Sequence, residues 1–138
     1  MMNRRNIFKS ARMLSLATIA GLSGLQASAQ EMMVNSSGAF EGRSNHETSG
    51  SVKIITEGGR RFVELGDNFM LDGGPDPHVA FGKDGEYDSS STLGALLSLS
   101  GRQRYAVSAT TSIEDFNEVY IWCDVAGVPL GVASLNLM

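Results

Sequence analysis

EVYIWCD, residues 118–124, alternates with a period of two. Val119, Ile121 and Cys123 fall on one side, and Tyr120, Trp122 and Asp124 on the other, as in a β-strand with one apolar face. The stretch holds the only tryptophan and the only cysteine of the 138-residue chain. A single cysteine cannot form a disulfide within the chain. Cys123 therefore has four remaining uses: a buried apolar side chain, a redox thiol, a metal ligand, or a link to a second chain. Company with Val119 and Ile121 favours burial. Its position at the strand end, before Asp124 and the loop around Gly127, leaves access open.

The same grammar runs upstream and downstream. SVKIIT (51–56), RFVEL (61–65), HVAF (78–81), RQRYAVS (102–108) and the run 128–137 are rich in β-formers. In RFVEL, Arg61, Val63 and Leu65 share one face and Phe62 and Glu64 the other. Glu57-Gly58-Gly59, Gly73-Gly74-Pro75-Asp76-Pro77 and Lys83-Asp84-Gly85-Glu86 are turns. Pro129 inside the last strand marks an edge or a bulge. The candidate helical pieces are Thr92 to Leu99 and Ser112 to Asn117, the latter with Ser112 as N-cap. Short strands with turns every 8–12 residues or so predict an all-β fold, an antiparallel β-sandwich or a barrel-like form.

The chain starts like an exported protein. Arg4, Arg5, Lys9 and Arg12 precede an apolar run from Met13 to Leu25 that is too short to span a bilayer, and Ala27-Ser28-Ala29 fits a cleavage site. RRNIFK (4–9) is similar to a twin-arginine export motif, with the general secretory route as the alternative. The expected organisation is a signal peptide at 1–29, a flexible leader at 30–37 and one β domain at 38–138. Removing residues 1–29 takes four of the 11 Lys and Arg and none of the 15 Asp and Glu, which leaves 109 residues and a formal charge of −8. That charge repels nucleic acid and anionic membranes. The expected partners are a redox protein or another extracytoplasmic protein, with a Cys123-linked dimer as a further alternative.

Several features then line up in order: Phe40, His46, Gly50-Ser51-Val52, Leu65, Phe69, Gly74-Pro75-Asp76, Tyr105, Trp122-Cys123, and Gly131-Val132-Ala133. The set resembles the DM-thirteen domain family over roughly residues 38–137. That resemblance implies a small extracytoplasmic all-β domain serving as a redox or electron-transfer module, with Cys123 as its active group. It also implies a site shaped by His46, Asp76 and Trp122. In larger proteins of this kind the domain sits beside haem-binding β-domains, which makes a haem or a metal the cofactors to test. Pro77 after Asp76, and Ala126-Gly127 after the cysteine, depart from the family pattern.

Read residue by residue, each of these has a plainer alternative. His46 and His78 are the only histidines. Together with Cys123 they are candidate copper or iron ligands, but no local metal spacing joins them, so the fold would have to. Otherwise each histidine bonds backbone at a strand edge. Asp76 reads as a turn residue bonding nearby backbone. Asp84, Glu86 and Asp88 read as a solvated acidic loop, since the stretch fails the calcium-loop pattern. Trp122 and Tyr120 either pack a sheet face or meet a ligand. No G-x-S-x-G or paired-carboxylate signature appears, so a stand-alone enzyme is not expected. Two functions follow: a redox or electron-transfer accessory domain using Cys123 as thiol or metal ligand, or a non-catalytic binding module in which Cys123 is core.

Overall fold

The structure, a computed structural model, describes residues 31–137. The export signal expected at 1–29 lies outside the described residues. The strands are β1 (Met32–Gly42), β2 (Thr48–Ser49), β3 (Ser51–Glu57), β4 (Arg60–Leu65), β5 (Met70–Leu71) and β6 (Pro77–Lys83). They continue as β7 (Glu86–Tyr87), β8 (Gly94–Ala95), β9 (Gln103–Val107), β10 (Glu118–Cys123), β11 (Val128–Ser134) and β12 (Asn136–Leu137). No α-helix occurs among the described residues.

The strands pair antiparallel in the order β7-β6-β10-β11-β1-β3-β4-β9, and the sheet curls into a half-barrel. This is the barrel-like member of the expected all-β pair. β1 makes the curl. Its first part pairs with β3, and its end, Phe40 to Gly42, pairs with β11. One long strand thus belongs to both halves of the curled sheet, whose inner face holds the core.

That core collects the inward residue of each alternating pair: Val52 and Ile54, Val63 and Leu65, Val79 and Phe81, Val119 and Ile121. Phe69 meets Phe40 edge to face, with ring centroids 5.4 Å apart. On the outer face Glu64 is buried under Arg102 and Arg104, whose guanidinium groups donate to its Oε2.

Three expectations change. Residues 32–37 of the expected loose leader are ordered in β1, which pairs Met32 with Glu57 and Val34 with Ile55. A strand ladder is built from backbone groups, so a polar stretch can join it. Here the Thr56 hydroxyl also donates to Asn35 Oδ1 at 2.7 Å. Thr92 to Leu99 is not helical: it contains β8, whose backbone is held against β6. Ser112 to Asn117 does contain a 3-10 turn, Ile113–Asp115, but the Ser112 side chain does not cap it. Pro129 fits the expected bulge: on β11 Trp122 pairs with Pro129 while Ile121 pairs with Gly131, so Leu130 is the extra residue.

Candidate functional site

β10 fixes the site because its two faces do different things. Cys123, with Val119 and Ile121, faces inward, and its exposure is 0 %. Its neighbours in register are Pro77 on β6 and Val128 on β11. The turn that follows is closed by the Gly127 N–H donating to the Cys123 carbonyl at 2.8 Å. A disulfide to a second chain needs an exposed sulfur, and a haem iron needs room for the porphyrin beside its ligand. Cys123 offers neither, so the thiol does not fit a haem here.

The outward residues of β10 meet a different set. Trp122 pairs in register with His78 on β6, and residues opposite one another on an antiparallel pair carry their side chains to the same face. Asp76 and Asp124 extend these two strands by one residue each and are tied together by the Asp124 N–H donating to the Asp76 carbonyl at 3.1 Å. His78 Nε2 lies 2.9 Å from Asp76 Oδ1 and 3.4 Å from Asp124 Oδ2. The Asp76 side chain thus bonds the imidazole and not the turn backbone expected for it. Among the described residues this is the one group of three His, Cys or acidic side chains with ligand atoms close enough to share an ion, all within 4.8 Å of one another. Neither Cys123 nor His46 belongs to it.

An aromatic cluster adjoins the triad. Tyr87 stacks on Trp122, and Tyr120 meets both edge-on, at 5.8 Å from Tyr87 and 6.3 Å from Trp122. Tyr120 has room because it lies over Gly82, where a Cβ would stand 2.3 Å from its ring. Burial, then the charges of Asp124 and Asp88, hold the Tyr87 phenol above its ordinary value. Burial, then Glu118, pushes Tyr120 up to about 12. Both phenols therefore keep their protons at neutral pH. Beside the rings runs a groove of about 480 Å³, with Arg43, Glu86 and Glu118 at its walls.

His46 sits in a separate arrangement. Its Nδ1 is 2.8 Å from Asp72 Oδ1, and Asp72 Oδ2 accepts from the Glu47 N–H at 3.0 Å. Those two bonds, the backbone one first, hold the Asp72 carboxyl below the usual range. Thus Asp76, His78 and Trp122 come together, His46 pairs with Asp72, and Cys123 faces the core. Asp84 exchanges hydrogen bonds with Asn117, and Asp88 caps the 3-10 turn at Ser89–Ser91, so the acidic loop is structural.

A family model described as electron transfer DM13 matches residues 39–135. The chain belongs to the electron transfer DM13 family. No curated protein and no solved structure matches it. The match runs from β1 to the residue after β11, so it covers both faces of β10. In this DM13 domain the adjacent Trp122 and Cys123 point in opposite directions, one to the core and one to the aromatic surface. Tyr87 and Asp124 are the site residues that sequence reasoning missed. Strand alternation already put Asp124 on the Trp122 face, whereas no local signal places Tyr87 there.

Proposed function

We propose that this DM13 chain is an exported electron-transfer accessory domain that exchanges single electrons with a redox protein through the outer face of β6, β7 and β10. Trp122 and Tyr87 are the relay, and Cys123 is core. The stacked contact of these two rings carries the proposal. Indole and phenol are the side chains of this outer face most readily oxidised by one electron, and overlap of their π-faces gives an electron a short path between them. Partial exposure of both rings supports an entry point at the surface. The basic, apolar and A-x-A segments at the start of the chain support export.

The test is kinetic. The mature domain is exposed to a photogenerated one-electron oxidant, and the decay of that oxidant is followed. Decay is expected to be several-fold slower in Trp122→Phe and unchanged in Cys123→Ala. The opposite pattern would return the redox role to the thiol.

The groove beside the rings favours a second reading, a non-catalytic binding module. Arg43, Glu86 and Glu118 offer polar contacts around an aromatic floor, as ligand sites do. A domain inert to one-electron oxidants that nonetheless binds a ligand through Arg43 and Trp122 would favour it.

A further inference from the structure

We propose that Asp76, His78 and Asp124 form a binding site for one divalent transition-metal ion, Cu(II) before Zn(II), at the edge of the Tyr87–Trp122 stack. The site deepens the electron-transfer reading and rests on it for any redox role, while metal binding stands on the geometry alone.

Three observations carry it. The first is the donor set. One imidazole nitrogen and two carboxylate oxygens suit copper, zinc or ferrous iron, and among these Cu(II) binds most tightly to a given site. The second is spacing. With bonds of about 2.0–2.1 Å, a tetrahedral ion holds its donors about 3.3 Å apart, and a square-planar ion holds adjacent donors about 2.9 Å apart. The distances from His78 Nε2 to Asp76 and Asp124, 2.9 Å and 3.4 Å, fall at these spacings, and all three ligand atoms lie within 4.8 Å of one another.

The third is charge. Two carboxylates converge on one ring nitrogen, which carries at most one N–H. Asp124, at 3.4 Å, is the less well served of the two. A divalent cation at their meeting point satisfies both carboxylates and the nitrogen lone pair together. The two strands hold this arrangement in advance through their ladder and the Asp124-to-Asp76 backbone bond. The side chains are 22 %, 37 % and 45 % exposed for His78, Asp76 and Asp124, so an ion can enter and keep a solvent ligand. A net negative chain draws cations toward them.

Trp122, the sole tryptophan, is the in-register partner of His78 and therefore a built-in reporter. The tag-free mature protein, stripped with a chelator, is titrated with Cu(II) by calorimetry and by tryptophan fluorescence. One ion per chain is expected, with saturable quenching. Zn(II) is expected to bind the same site more weakly and to be displaced by Cu(II).

His78→Ala and Asp124→Asn are each expected to weaken binding at least as much as loss of an outer-shell partner does, roughly 10–100-fold. His46→Ala, which removes the other His–Asp pair, is expected to leave binding unchanged. Near-UV circular dichroism checks that each variant is folded, and Asp124→Asn keeps the test open should His78→Ala unfold. Absence of saturable binding, or full binding in both His78→Ala and Asp124→Asn, overturns the site. Metal binding without any effect of Trp122→Phe on electron transfer would sink the relay and leave the site standing. A working relay in a protein that takes up no metal would do the reverse.

Discussion

Tyr87 lies flat on Trp122, with ring centroids 3.8 Å apart and planes 5° from parallel. The two residues belong to different strands, and β6 separates β7 from β10. Their contact bridges over that strand and closes the outer surface of this half of the sheet. Tyr87→Ala is expected to destabilise the domain by about 1–3 kcal/mol, since it removes a half-buried ring and an aromatic pair worth about 0.5–1.5 kcal/mol beyond its area. It also uncovers one face of Trp122. Chemical denaturation reads the first effect, and a red shift of tryptophan emission reads the second. An unshifted spectrum would mean that Tyr87 does not shield the indole.

Cys123 should behave as core. Its thiol is expected to react with a thiol reagent only at the rate of unfolding. Cys123→Ser should lower stability by about 1–3 kcal/mol, because a hydroxyl then sits in an apolar face with no partner. Fast labelling of the folded protein, or a neutral serine variant, would show that the sulfur is reachable.

Gly82→Ala tests the seat of Tyr120. The new methyl would meet the Tyr120 ring at 2.3 Å and the Glu86 carbonyl oxygen at 2.5 Å, so ring or strand must move. Overpacking of this kind costs about 1–3 kcal/mol. Gly82 is not among the glycines with positive φ, so the loss comes from overpacking and not from backbone strain. Unchanged stability in Gly82→Ala would remove the Tyr120 explanation.

Glu64 makes acid stability specific. Burial is the largest influence and works to raise its carboxyl, but the hydrogen bonds and charges of Arg104 and Arg102 together outweigh it and hold the group below the ordinary glutamate value. The folded state therefore binds this proton less readily than the unfolded chain. Its contribution is complete above about pH 4.5 and disappears as pH falls through the lowered value. Wild type should lose stability below that pH more steeply than Glu64→Gln, which is less stable at neutral pH by about 1–3 kcal/mol. Parallel stability curves for the two proteins would contradict this account of Glu64.

Local patterning carried most of the fold in readable form. The alternation of EVYIWCD put Cys123 with Val119 and Ile121, and that face is the core. RFVEL divided in the same way, and Pro129 announced the bulge of β11. The site was less legible because it depends on register between distant strands. Nothing near His78 in sequence says that Trp122 lies opposite it, and nothing near Tyr87 says that it reaches over β6 to the indole. Asp124 was visible only as the neighbour of Cys123, although alternation places the two on opposite faces. The polar stretch before Phe40 failed as a leader because strand pairing draws on backbone groups, which composition does not reveal.

Freeze-quench electron paramagnetic resonance of the mature domain, after oxidation by one electron, identifies the residue that holds the unpaired electron. A tryptophanyl or tyrosyl signal is expected, changed by Tyr87→Phe, lost or displaced in Trp122→Phe, and unaltered in Cys123→Ala. A sulfur-centred radical that vanishes in Cys123→Ala would contradict the outer-face relay.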